Sequence, residues 1–177
     1  WKQDKKHKPL ILRGARQVGK TTVVNEFGSQ FDNYLYFNLE RNENAKLFEM
    51  EIPLDDLVNM LYASVGKVKK EGTTLVFIDE IQNSPKTIAL LRYFYEQRPD
   101  LYVIAAGSLL ENLVDVKVSF PVGRVQYLAL RPCSFSEFLG AIGKNNLLAG
   151  RVECIKCMEK FFLCTFLTDD KLNVIDH

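Results

Sequence analysis

Residues Gly14-Ala15-Arg16-Gln17-Val18-Gly19-Lys20-Thr21 fit the spacing GxxxxGK(S/T), and their surroundings restrict the fold more than any other feature of the chain. Ahead of them lies Pro9-Leu10-Ile11-Leu12, a short apolar run that reads as a buried strand. Behind them lies Thr22-Val23-Val24-Asn25-Glu26-Phe27, which reads as a helix closed by Gly28. Gly14 and Gly19 let the backbone bend until successive N–H groups point inward, and the helix N-terminus adds its positive dipole end. The main chain from Gly14 to Thr22 is thereby suited to hold a polyphosphate. Lys20 is expected to reach the β- and γ-phosphates, and the Thr21 hydroxyl to ligate Mg2+.

A second apolar run, Thr73-Thr74-Leu75-Val76-Phe77-Ile78, ends in the acids Asp79 and Glu80. A strand buried on both faces reads as continuous hydrophobics, so charges at its C-terminal end fall where open α/β sheets bind ligands. Asp79 is placed to hold Mg2+ through the water shell. Glu80 is placed to orient, or take a proton from, a water attacking the γ-phosphate. A third strand, Leu101-Tyr102-Val103-Ile104-Ala105-Ala106, ends in Gly107-Ser108. Ser108 is the candidate contact to both that phosphate and that water, although a Gly-Ser pair after a strand also makes an ordinary turn.

This order of motifs resembles the AAA+ branch of P-loop ATPases. More closely, it is similar to a bacterial and archaeal ATPase family that pairs an N-terminal AAA domain with a C-terminal domain of unknown function. The residues that carry the resemblance run from Gly14 to Thr22, then Phe77-Ile78-Asp79-Glu80-Ile81-Gln82, Gly107-Ser108, Gly123-Arg124 and the stretch from Leu130 to Leu139. It implies a three-layer α/β/α sandwich with a mostly parallel sheet in strand order 5-1-4-3-2, two Walker motifs, and ATP as the nucleotide. It also implies a homo-oligomer in which Arg124, just ahead of the apolar run at residues 125–130, reaches a neighbouring subunit as an arginine finger. Arg92 and Arg98 are weaker rivals for that role, and Arg16 contacts either phosphate or a neighbouring segment.

The rest of the chain supports the architecture. Tyr34-Leu35-Tyr36-Phe37-Asn38-Leu39 reads as a strand, and Leu54, Leu57, Val58, Leu61, Tyr62 and Val65 recur at helical spacing. Ser84-Pro85 opens a helix with Ile88, Leu91 and Phe94 or Tyr95 turned inward, and Ser134-Phe135-Ser136-Glu137 fits a capping box. Strands alternating with helices imply a sheet covered on both faces. The 177 residues suffice for one such domain, expected at 1–140, followed by a divergent or truncated helical segment at 141–177.

No apolar run reaches membrane-spanning length and no leader is visible, which gives the expectation of a cytoplasmic protein without a membrane partner. The formal charge of +1 exerts no global pull on nucleic acid. Cys154 and Cys157 form a CxxC with no second pair at zinc spacing, Cys164 with His177 adds only a loose candidate metal set, and the cysteines read as reduced thiols packed as small hydrophobes. Three functions are compatible with these residues. The first is an ATPase acting on an unknown protein or nucleic-acid partner, the second a nucleotide-gated switch with little hydrolysis, and the third, least supported, a small-molecule kinase. No Asn-Lys-x-Asp element points to guanine.

Overall fold

The computed structural model describes residues 1–4, 6–108, 121, 123–141 and 143. The chain divides into two compact units, Trp1–Pro132 and Cys133–His177. In the first unit, β1 (Leu10–Arg13), β2 (Asn33–Asn38), β3 (Thr74–Asp79), β4 (Leu101–Gly107) and β5 (Gln126–Ala129) form one sheet in the order β2-β3-β4-β1-β5. That is the expected order 5-1-4-3-2 read from the other edge. Every pairing is parallel, so all the C-terminal ends of the strands lie along one edge of the sheet. Parallel neighbours need crossovers. These carry α1 (Lys20–Gly28) after β1, α2 (Asn42–Phe48) and α3 (Leu54–Ser64) after β2, and a 3-10 turn (Ile81–Asn83) with α4 (Pro85–Gln97) after β3.

Period-two alternation distributes the strand side chains between two cores. Ile11, Leu35, Phe37, Val76, Ile78, Val103 and Ala105 pack on one face with Leu57, Val58 and Leu61 of α3 and Ile88, Leu91 and Phe94 of α4. Leu12, Leu75, Phe77, Ile104 and Ala106 pack on the other with Val24 and, partly buried, Phe27 of α1. β3 lies inside the sheet with every residue buried, which is why it reads as an unbroken apolar run. β2 is an edge strand and alternates between buried and half-buried positions.

Several local expectations change. The run at residues 125–130 is expected to be an apolar strand, yet within it only Val125 is buried, and all of the edge strand β5 is exposed. Gly28 does not close α1 as a left-handed cap. It is the helix's own last residue, and a β-carbon there would lie 2.8 Å from the Tyr34 ring, so close packing requires the glycine. Ser84 caps α4 as expected, its Oγ accepting from the Thr87 N–H at 3.3 Å with Pro85 in the first turn. Of the pair Phe94 and Tyr95, Phe94 is the buried one.

In the second unit the described helix is α5 (Phe135–Ala141). Its capping box forms: the Ser134 N–H donates to Glu137 Oε2 at 2.7 Å, and the Glu137 N–H donates to Ser134 Oγ at 3.3 Å. The backbone bond from Ser134 is the main reason that the Glu137 carboxyl lies below its ordinary pKa. Among the described residues no helix is long and apolar enough to cross a membrane. Cys154, Cys157, Cys164, His177 and nearly all of 141–177 lie outside the described residues.

Candidate functional site

The loop from Gly14 to Gly19 leaves the sheet at the end of β1 and feeds directly into α1. Gln17 (φ 63°) and Gly19 (φ 92°) both take left-handed backbone, which turns the chain sharply enough to start the helix at Lys20. The helix has no side-chain cap and no acid in its first turn, so its N–H groups and positive dipole end are left for an external anion. Gly14 serves a different purpose from the backbone freedom expected of it. A β-carbon there would lie 2.4 Å from the carbonyl oxygen of Leu130, so the glycine lets the loop cross the end of β5. Gly14→Ala is expected to cost about 1–3 kcal/mol through overpacking against backbone, measured as a lower urea midpoint with an unchanged slope.

Lys20 is 6% exposed, and its Nζ donates to the carbonyls of Gly14 at 2.9 Å and Ala15 at 2.8 Å. The side chain arches back over the loop and holds a positive charge inside the turn. Across from it, Asp79 ends β3 at 2% exposure. The Thr21 hydroxyl donates to Asp79 Oδ2 at 2.7 Å, while the Glu80 N–H donates to Oδ1 at 3.1 Å. The Tyr36 hydroxyl approaches Oδ2 at 3.4 Å, and burial first, then the Asp79 charge, hold that phenol above its ordinary pKa. Tyr36 therefore stays a neutral donor beside the carboxylate.

Glu80 has φ 55°, and with Gln17 it makes the pair of non-glycine residues in left-handed backbone among those described. Such conformations cost on the order of 1–3 kcal/mol and cluster at functional sites. The Gln82 amide, on the 3-10 turn, donates from Nε2 to Glu80 Oε2. Ser108 follows β4, the neighbour of β3, and its Oγ is buried without a hydrogen-bond partner among the described residues.

An open cleft of about 380 Å³ runs along this edge, lined by Arg16, Gln17, Gly19, Lys20, Thr21, Thr22, Glu40 and Glu80. It brings together most of the expected phosphate-loop residues with Glu80; Asp79 joins through Thr21. Three further groups are placed here that sequence reasoning did not single out: Tyr36, Glu40 and the side-chain role of Gln82. Glu40 had a signal, since it follows an apolar strand just as Asp79 and Glu80 do.

Thr21 and Asp79 supply hard oxygen atoms 2.7 Å apart, a donor set that suits Mg2+. This ion keeps several waters and is usually shared between one or two protein oxygens and substrate phosphates. Among the described residues no group of three His, Cys, Asp or Glu offers an all-protein cage.

Arg124 lies elsewhere. Gln126 pairs with Leu10 and Ala129 with Arg13, so Arg124, two residues ahead of β5, sits at the end of the sheet where β1 begins, opposite to the phosphate loop. Its Nε donates to Glu96 Oε1 at 2.8 Å, and Arg92 donates to the same oxygen at 3.0 Å. Those two bonds, Arg124's first, hold the Glu96 carboxyl below its ordinary pKa. Arg98 ties Asp55 of α3 to Asp100 at 3.0 and 2.7 Å. Arg92 and Arg98 thus both sit in ion pairs on their own chain, whereas Arg16 faces the cleft.

No curated protein matches the sequence. Among solved structures, a chain in Drosophila ORC bound to DNA is similar at TM-score 0.47 and 12% identity, over 92% of this chain and 48% of that one. Drosophila ORC bound to GC-rich DNA and Cdc6 gives TM-score 0.46 and 10% identity, over 72% of this chain and 51% of that one. C. elegans PCH-2 gives TM-score 0.39 and 12% identity, over 72% of this chain and 36% of that one. The chain spans no more than half or so of the length of these solved chains. A family model described as the AAA domain matches residues 6–139, most of the sequence, and the chain belongs to that family.

Proposed function

We propose that the protein binds ATP with Mg2+ in this cleft and hydrolyses it to ADP and phosphate, coupling the reaction to a conformational change on a protein or nucleic-acid partner. The observation that carries the reading is the Thr21–Asp79 bond at 2.7 Å beneath an uncapped helix N-terminus. It joins a metal-binding oxygen pair to an anion cradle. Backbone N–H groups from Ala15 to Thr22 bind the phosphates, and Lys20 turns from the Gly14 and Ala15 carbonyls to the β- and γ-phosphates. Thr21 and, through the water shell, Asp79 would hold Mg2+, which would neutralise charge on those phosphate oxygens. Glu80 accepts a proton as water attacks the γ-phosphorus and the bond to ADP breaks. Ser108 contacts the γ-phosphate and that water.

Arg124 acts in trans on this reading, on the nucleotide of a neighbouring copy. Residues 1–140 then form the ATPase domain, with 141–177 a separate C-terminal segment. A nucleotide-gated switch is the second reading, favoured by the Arg124–Glu96 pair, which keeps the finger bound to its own subunit until assembly competes for it. The deciding experiment is ATP turnover across a protein dilution series, for the wild type and Arg124→Ala. Turnover per subunit is expected to rise with concentration, and Arg124→Ala to lose roughly a thousandfold of the assembled rate while still binding ATP. A rate independent of concentration and of Arg124 removes the trans finger, and ATP binding without any turnover leaves the switch.

A further inference from the structure

Glu80 needs more than its backbone position to act on water, because a glutamate side chain has three torsions and half-buried space in which to turn. One neighbour limits it. Gln82 sits on a single 3-10 turn whose backbone is fixed at both ends: the Asn83 N–H donates to the Glu80 carbonyl at 3.1 Å, and the Ser84 N–H to the Ile81 carbonyl at 3.1 Å. Ile81 and Ser84, on either side, are both 0% exposed. From this rigid base the Gln82 Nε2 donates to Glu80 Oε2.

The amide orientation follows from the chemistry. Turned over, its oxygen would face the carboxylate oxygen, acceptor against acceptor, so the nitrogen must face Glu80. The consequence is that Gln82 Oε1 is buried and has no partner among the described residues. An unpaired buried acceptor destabilises a fold, and an apolar side chain of the same length would avoid it. Stability alone therefore does not account for glutamine at this position. The other buried side-chain oxygen or nitrogen left unpartnered among the described residues is Ser108 Oγ, at the same C-terminal edge of the sheet. Both atoms belong to the side of the fold that carries the cleft.

Resting on the hydrolytic reading above, we propose that Gln82 is a positioning residue: its amide holds the Glu80 carboxylate in the orientation that meets the attacking water. It touches neither nucleotide nor water and acts through Glu80.

The test compares four forms of the full chain: wild type, Gln82→Leu, Glu80→Gln and the double variant. ATP affinity, kcat and KM, and thermal melting are measured for each. Gln82→Leu is expected to lower kcat by about 10- to 100-fold, the scale of a misplaced catalytic group. KM and ATP affinity should stay within about twofold, and melting should stay close to the wild-type temperature, since losing the bond to Glu80 and losing an unpaired acceptor act in opposite directions. In the Glu80→Gln background the same change should have no further effect on kcat, because there is no longer a base to position. Gln82→Met, flexible and close in shape, provides the same comparison if the leucine variant folds poorly. A stable Gln82→Leu or Gln82→Met with wild-type kcat overturns the inference, as does an equal fractional loss with and without Glu80. Wild-type protein that binds ATP without turnover overturns the hydrolytic reading and the role of Gln82 together.

Discussion

Lys20→Ala is expected to weaken ATP binding by about a hundredfold or more and to bring turnover below detection. Each charge-assisted bond to a phosphate contributes about 1.5–3 kcal/mol, and about 1.4 kcal/mol corresponds to a factor of ten in affinity, so losing contacts to two phosphates exceeds one decade. The cation is already in place before nucleotide arrives: Nζ lies 2.9 and 2.8 Å from the Gly14 and Ala15 carbonyls, inside the loop rather than in solvent. The conformational cost of bringing it to phosphate is correspondingly small. The fold should survive the change, because Gly14 is half-buried and Ala15 exposed, so that water can replace the ammonium at their carbonyls. Calorimetric titration with a non-hydrolysed ATP analogue gives the affinity, and a melting curve controls for folding. Binding within threefold of wild type, in a variant that melts normally, would sink the assignment of this loop to phosphate.

The parts of this machinery that were legible in the sequence are those where one residue type has one use. The run from Leu75 to Ile78 could only be an interior strand, because every one of its side chains has a core to enter. Gly19 and Lys20 were readable since a left-handed turn followed by a helix leaves few alternatives. Ser84-Pro85 and Ser134-Phe135-Ser136-Glu137 announced helices through hydrogen bonds made within three residues. What escaped depends on contacts between distant segments. The need for glycine at position 14 comes from the Leu130 carbonyl, and at position 28 from the Tyr34 ring. Tyr36 meets Asp79 only because β2 and β3 pair in a register that sets Asn38 against Asp79. The short helix α2 and the 3-10 turn carry too few residues for a periodic signal, so Gln82 could be quoted in a motif but not given a contact. Arg124 was readable as a residue ahead of β5, but its bond to Glu96 depends on how far α4 runs before β4 begins.

Glu80→Gln should separate binding from chemistry more cleanly than any other substitution at the site. Proton transfer by a positioned side chain contributes about 10²–10⁴-fold, so kcat is expected to fall by two orders of magnitude or more while ATP affinity stays within about threefold. The substitution is nearly isosteric, and the features that hold residue 80 remain available to it. Its N–H still donates to Asp79 Oδ1, and the Gln82 amide still finds an oxygen at the end of the side chain. Only the capacity to take a proton is removed. Asp79 cannot substitute for it, because Oδ2 already receives the Thr21 hydroxyl at 2.7 Å and the carboxylate is 2% exposed. Glu40 lines the same cleft just past the end of β2 and is the one other acid among the described residues that line it. A residual rate in Glu80→Gln that disappears on adding Glu40→Gln would show Glu40 acting as an alternative base. Single-turnover measurement with ATP and Mg2+ decides the matter: an undiminished rate in stable Glu80→Gln excludes Glu80 as the base. A large loss with unchanged binding identifies the left-handed turn at the end of β3 as the place where the proton goes.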